Sequence, residues 1–243
     1  MKKLLKTLLL LLIIGGLGFW GYNAVINKQI NINHWFVGGM TRGADISSYQ
    51  GKVDMIKLKS HNIDFLYIKA TEGATHKDAQ FLESWQSAGE ADLPAGAYHY
   101  FSYNESGANQ AENFVSVVGE LGDGRLIPAV DLELSSSEKD NPPEKSDVVA
   151  SLKVFLAVLE EKYKVKPLIY CTKDYYDKYL KDDFADYPRW VRSVWWPVFV
   201  EAGSDWLVWQ YDDHAELDGY NGSEKYIDLN VINKEKGLDA LKY

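Results

Sequence analysis

Cysteine is almost missing from this chain, with one residue, Cys171, among 243. A lone cysteine forms no internal disulfide, and inside the apolar run "PLIYCT" it reads as a small core residue. No C-x-x-C or H-E-x-x-H spacing occurs and the five His are scattered, so no metal or other cofactor is expected. Basic charge is also scarce beyond the N-terminus. Residues 1–42 hold Lys2, Lys3, Lys6, Lys28 and Arg42 and no acid, which leaves 21 Lys and Arg against 35 Asp and Glu in the remainder, a balance of −14. A domain this acidic repels a polyanion, so no nucleic-acid partner is expected. No glycine-rich phosphate turn follows an early strand, which argues against an open doubly wound sheet. There is no internal repeat.

What is present is an ordinary globular composition, 46% hydrophobic, with a high aromatic share of 14%. Aromatic excess serves packing, and it also supplies flat platforms for ring-shaped ligands. From Gly43 onward, eight short apolar runs look like strands: 43–47, 65–73, 94–102, 126–134, 167–172, 189–196, 206–211 and 226–231. Helical patterns separate the first five, over 53–60, 79–91, 108–120 and 146–162, the last with Val148, Leu152, Phe155 and Leu159 on one face. Strands alternating with helices predict parallel βαβ units. About eight strands in about 200 residues predict an α/β fold, an irregular TIM-like β/α barrel with fewer helices in its last third.

The N-terminus carries an export signal. "MKKLLKTLLLLLIIGGLGFWGY" has a basic start and an apolar run from Leu8 to Trp20, with no charge from Thr7 to Asn27. The run fits the core of a signal peptide, and the wider uncharged window is also long enough to span a membrane. A small-residue cleavage site is lacking, because Tyr22-Asn23-Ala24 puts a bulky side chain where a small one belongs. Residues 1–22 therefore read as a membrane anchor or signal peptide, with the balance toward an anchor. Residues 23–42 read as a spacer and residues 43–243 as the barrel domain.

The segment "PAVDLEL" (128–134) sets two acids into an apolar run. Side chains alternate along a strand, so Asp131 and Glu133 share one face with Cα atoms about 6.6 Å apart, while Leu132 points to the other. At the C-terminal end of a barrel strand that shared face opens into the active-site mouth. Two carboxylates side by side repel, and a raised pKa on one is the expected relief. A protonated acid beside an ionised one is the pair that glycosidic cleavage uses. A structural hydrogen-bonded pair would look the same in sequence. Two further acids shift the balance: Asp45 in the first strand and Asp228 in the last, each among apolar neighbours. Closure of the barrel pairs those two strands and faces them with the fourth. Asp45, within "DISSYQG", also has the makings of a turn or helix cap.

The ordered set "GADISSYQG", "YIKATEG", "AGAYHYF", "AVDLE", "KPLIYC", "LVWQY" and "IDLN" resembles the glycoside hydrolase family 25 lysozymes, the Chalaropsis-type N-acetylmuramidases. The likeness runs from about Gly43 to the C-terminus. It implies an irregular β/α barrel that cleaves the β-1,4 bond between N-acetylmuramic acid and N-acetylglucosamine in peptidoglycan. The family's D-x-E pair falls on Asp131 and Glu133, its D-x-S aspartate on Asp45 and its late D-x-N aspartate on Asp228, with Glu133 as general acid. Two stretches depart from the family pattern: "RWVRSVWW" stands where relatives have a form like "LWVARY", and the loop 212–225 lacks their small residues. The partners implied are peptidoglycan strands and, through the N-terminus, the membrane; the enzyme is expected to be monomeric. The rival reading is a non-catalytic wall-glycan-binding module in the same cleft.

Further candidates for sugar contact are Tyr98, Tyr100, Gln210 and Tyr211. Alternation after Gly96 sends Tyr98 and Tyr100 to one face and His99 to the other, where it reads as a structural histidine. Glu72 either lines the mouth or pairs with Lys69. Trp195 and Trp196 either wall the sugar site or cap the barrel bottom.

Overall fold

The computed structural model describes residues 13–24 and 30–243. Nine strands follow in chain order: β1 Arg42–Ile46, β2 Phe65–Glu72, β3 His76–Lys77, β4 Ala95–Tyr100, β5 Ala129–Asp131, β6 Leu168–Thr172, β7 Arg189–Arg192, β8 Val208–Ala215 and β9 Ile227–Ile232. They form one sheet in the order β1-β9-β8-β7-β6-β5-β4-β2-β3, and pairing of β1 with β2 closes eight of them into a barrel. The ninth, β3, is a two-residue hairpin arm on β2. Neighbours are parallel from β1 round to β8. Strand β9 is antiparallel to both β8 and β1. The expected barrel is thus the observed one, and its last third is poor in helix. After β6 come a short turn at Lys173–Tyr175, running into a π turn at Tyr176–Leu180, the four residues Val198–Glu201 and a 3-10 turn at Leu238–Leu241.

Two packing layers explain the alternation in the sequence. Inside the barrel lie Phe65, Tyr67, Ala129, Leu168, Tyr170, Trp190, Val208 and Ile232. Outside it, Leu66, Ile68, Val130, Leu132, Ile169, Cys171, Val191 and Trp209 meet the buried faces of the helices. The longest helix, Lys145–Tyr163, contributes Val148, Leu152, Phe155, Leu156 and Leu159. Cys171 is buried here as a free thiol, and burial pushes its pKa up to about 12, so it is inert packing. The barrel is too narrow for a large side chain at every inward position. A Cβ on Gly43 would sit 2.4 Å from the Phe65 ring, and one on Gly96 2.3 Å from the Tyr67 ring. The two glycines leave room for two aromatic rings that fill the lumen floor. This filled floor closes the barrel below and leaves only its upper end open.

Strand lengths differ most from the sequence reading at two places. The run 126–134 pairs as strand only over Ala129–Asp131, and 189–196 only over Arg189–Arg192. Pro128 has no N–H to donate, which shortens the first ladder at its start. At its end, Leu132 N–H still donates to the Tyr170 carbonyl at 3.0 Å. That bond carries the pleat one residue past β5, so Glu133 stays on the side of Asp131.

Residues 13–24 are helical, with Ile13, Ile14, Leu17, Phe19, Trp20 and Tyr22 exposed. The expected apolar run Leu8–Trp20 lies partly outside the described residues. Among those described, no helix is long and apolar enough to cross a membrane. The segment before β1 meets the barrel at a 3-10 turn, Ile32–Trp35. Its buried Asn33 donates to the carbonyls of Ser193 and Tyr211, both at 3.0 Å.

Candidate active site

The open end of the barrel is the C-terminal end of its parallel strands. Asp45 is the penultimate residue of β1 and Asp131 the last of β5. Strand β9 runs the other way, so its second residue, Asp228, reaches the same end. The β1–β9 register sets Asp45 directly opposite Asp228. Across the mouth, the parallel register places Tyr100, Asp131 and Tyr170 side by side on β4, β5 and β6. Asp45, Asp131, Glu133 and Asp228 all line one cleft of about 420 Å³, with Tyr98 and Tyr100 on its wall. The sequence scattered these acids over more than 180 residues, and barrel closure gathers them.

A hydrogen-bond chain beneath the cleft holds the acids. Gln210, 1% exposed, donates from Nε2 to Asp45 Oδ2 at 3.1 Å and to Asp228 Oδ2 at 3.2 Å. Asn230 Nδ2 donates to the same Asp45 oxygen at 2.8 Å, and Trp190 Nε1 donates to Asn230 Oδ1 at 2.7 Å. The hydroxyl of Tyr170 stands 2.9 Å from Gln210 Oε1 and 3.2 Å from Glu133 Oε1. Its single proton serves one acceptor at a time, so Tyr170 links the Asp45–Asp228 pair to Glu133. Arg192 Nε lies 3.9 Å from Glu133 Oε1, while its Nη2 donates to Asp213 Oδ2 at 2.8 Å.

Burial dominates the electrostatics. It pushes Asp45 up to about 6, against the lowering effect of the amide donors Asn230 and Gln210. Burial raises Asp228 well above the carboxylate range, with the Asp45 charge adding to it. Asp131 is likewise raised well above that range, by burial first and then by the charges of Glu133 and Asp45. One of its oxygens, Oδ1, is buried without a hydrogen-bond partner. Burial raises Tyr98 and Tyr170 too, so both remain phenols that can donate.

These raised values cost stability as pH rises. Between the ordinary carboxylate range and about 6, folded Asp45 keeps a proton that the unfolded chain has released. The folded state binds more protons there, so stability falls through that window and stays lower above it. Asp45→Asn keeps an acceptor for Gln210 and Asn230 and never ionises. It is expected to raise stability at pH 7 by about 1–3 kcal/mol and to have little effect at pH 4. Thermal unfolding at the two pH values checks this; an equal or lower melting temperature at pH 7 contradicts it.

The other sequence candidates separate cleanly. Tyr98 and Tyr100 face the cleft. Gln210 lies one layer below, buried, where it orients acids and has no surface for a sugar. Tyr211 is corrected: it is fully buried on the outer side, its ring 5.9 Å from Trp209 and 5.2 Å from His34. Alternation sends residue 211 outward once 210 points in. Glu72 pairs with Lys69 at 2.6 Å. His99 bridges Thr71 Oγ1 and Gln110 Oε1 and stacks on Phe155, and burial lowers its pKa to about 4. Trp195 and Trp196 take neither expected place. Trp195 borders a small crevice with Ile30, Asn31 and Ile32, and Trp196 is 57% exposed on the adjoining loop.

Tyr170, Trp190, Asn230 and Arg192 were not singled out in the sequence. The signal for Tyr170 and Trp190 was alternation in their strands, which does not distinguish a packed ring from a polar link. Tyr49, His214 and Tyr226 also border the cleft, the last two stacked at 3.8 Å. Such rings give flat faces to a pyranose. Among the described residues no group of three or more His, Cys, Asp or Glu is arranged to hold a metal ion.

Comparison with known proteins adds an independent line. A sequence profile described as Glycosyl hydrolases family 25 matches residues 44–220. The uncharacterised protein YegX of Escherichia coli O6:H1 is 33% identical over 221 residues, covering 88% of this chain and 76% of YegX. Lysozyme M1 of Streptomyces globisporus is 30% identical over 207 residues, covering 79% of this chain and 67% of that protein. The structure of a family 25 glycosyl hydrolase from Bacillus anthracis superposes with a TM-score of 0.73 at 40% identity, covering 80% of this chain and 90% of that one. The profile match spans the acids at Asp45, Asp131 and Glu133, and the barrel that carries them is shared. By this agreement of sequence and fold, the chain belongs to glycosyl hydrolase family 25.

Proposed function

We propose that this protein is a peptidoglycan muramidase that cleaves the β-1,4 bond between N-acetylmuramic acid and N-acetylglucosamine. The observation that carries this reading is the convergence of four carboxylates at the single open end of the barrel, with Asp131 and Glu133 adjacent on one wall. Three of them are held at raised pKa in a cleft rimmed by aromatic rings. A module that only bound glycan would gain nothing from burying acids that repel one another.

Glu133 is the acid and base of the reaction. It protonates the leaving oxygen, and in the second step it takes a proton from water. Burial and the neighbouring carboxylates favour the neutral form of Asp131 in the free cleft. When the acetamido N–H of the muramic residue donates to the Asp131 carboxyl, the carboxylate form of Asp131 is favoured. Both acids approach from one strand end, which leaves neither on the opposite face of the sugar. The acetamido oxygen attacks C1 as the leaving oxygen takes the proton of Glu133, and water then opens the resulting ring with the same configuration at C1. Asp45 and Asp228, with Gln210, Asn230 and Tyr170, hold the pair in place.

The direct test is incubation of the protein with purified peptidoglycan, followed by reduction and analysis of the new ends. Reduced muramic acid is the expected product. Reduced glucosamine, or no new reducing end, would overturn the reading.

The enzyme works outside the cytoplasm, tethered by its N-terminal segment. The basic start, the uncharged apolar window and the exposed apolar side chains of residues 13–22 support this. The mature chain is expected to retain Leu8–Trp20 and to fractionate with membranes. A soluble extracellular form beginning near residue 24 would instead identify a cleaved signal peptide.

A further inference from the structure

Beside the cleft lies a second cavity, of about 580 Å³, that the cleavage steps leave unused. It shares Glu133 with the site, carries Arg192 3.9 Å from that carboxylate, and extends outward past the ends of β5, β6 and β7. Its floor is apolar, made by Leu132, Leu134, Tyr175 and Tyr179. Lys139 and Lys178 stand exposed on its walls, opposed by one further acid, Asp174. Neighbouring lysines are neutralised locally: Lys145 by Asp182, Lys153 by Asp183 and Lys173 by Asp177. Lys139 has no ion pair among the described residues, and Lys178 lies only against the Tyr179 ring, 4.8 Å from its centroid. In a domain of balance −14, a cavity bearing two uncommitted ammonium groups beside a guanidinium is a local reversal of sign. An apolar floor under cationic walls suits a short acidic peptide with small side chains.

We propose that this cavity receives the acidic stem peptide of the muramic residue being cleaved. The inference rests on the muramidase reading and names the part of the substrate that the cleft does not accommodate. The muramic ring whose C1 meets Glu133 carries a lactyl ether on the neighbouring edge of the ring. In peptidoglycan that ether bears a peptide with free carboxylates and alanine methyl groups. The cavity opens at Glu133, so a branch from that sugar enters it without crossing the glycan path. Lys139 and Lys178 pair with the carboxylates, and Leu132 and Leu134 cover the methyl groups. The enzyme is therefore specific for stem-bearing glycan over bare glycan.

The test uses the full chain and one glycan preparation freed of phosphate polymers. Half of it is stripped of stems by an amidase that cuts the lactyl–alanine bond. Wild type is expected to show a higher kcat/KM on the stem-bearing half, by roughly threefold to thirtyfold, as two solvent-accessible ion pairs supply. Added salt shrinks that ratio. The double variant Lys139→Ala/Lys178→Ala is expected to bring the ratio to about one while cutting stripped glycan at the wild-type rate, which also shows that it is folded. Equal wild-type rates on both halves overturn the inference and leave the muramidase reading intact. So does a double variant that keeps the preference. Failure of wild type to cut either half overturns both.

Discussion

Glu133→Gln leaves the barrel folded and lowers peptidoglycan cleavage by at least about 10²–10⁴-fold, the worth of general acid–base help. The substitution keeps the shape and still accepts the Tyr170 hydroxyl bond seen at 3.2 Å. It removes the one proton that must reach the leaving oxygen. Arg192, now 3.9 Å from the carboxylate, loses a charged neighbour but keeps Asp213 at 2.8 Å. No buried charge is orphaned, so circular dichroism and the melting temperature should stay near wild type. Wall-clearing at the wild-type rate by this variant would sink the assignment of Glu133. An inert wild type would instead reopen the glycan-binding alternative.

The second large effect concerns Asp131. Asp131→Asn is nearly isosteric, and burial already favours the neutral form in the free protein, so the fold tolerates it. Asn cannot become the carboxylate that draws the acetamido N–H. Activity is expected to fall by about 10²-fold or more, as for loss of one preorganised electrostatic contact to a developing charge. Glycan binding should persist, so the loss falls on kcat. The companion measurement uses peptidoglycan whose muramic residues have been de-N-acetylated. That substrate has no internal nucleophile, and the wild-type enzyme should hardly cut it. Cleavage at the normal rate, or a product first released as the α-anomer, rules out the acetamido route and leaves the broader muramidase proposal standing.

Much of this was legible in the residues. Each of the eight strand segments read from the sequence overlaps one of the eight barrel strands, because buried strands must be apolar and short and must be separated by helices or turns. The four acids stood out because a carboxylate in an apolar run is costly without a reason. Their phase fixed which neighbours point inward: once Asp131 faces the lumen, Leu132 faces the helices, and it does so.

Alternation gives a period and not a depth. Gln210 and Tyr211 were both candidates for sugar contact, yet one is a buried bracket between acids and the other packs on the outer wall. Trp195 and Trp196 read as strand, but the ladder stops at Arg192 and leaves them on a loop beside the incoming spacer. Tyr170 shows the limit most clearly. In "PLIYCT" it is one more aromatic residue in a strand, and nothing local says that its hydroxyl reaches Gln210, 40 residues on, and Glu133, 37 residues back.

By itself, then, the sequence determined the period of each strand, the inward face of each acid and, for Asp131 and Glu133, the end of the barrel at which they emerge. All three follow from local sterics and from the cost of burying charge. Only the tertiary structure decided which strand lies beside which, that β9 runs backward to bring Asp228 opposite Asp45, and that a cationic cavity adjoins the cleft at Glu133. Those facts depend on the closure of the sheet and on contacts between residues far apart in the chain. A one-dimensional pattern fixes where a side chain points, but its neighbours across the barrel are set by the radius and register of the closed sheet.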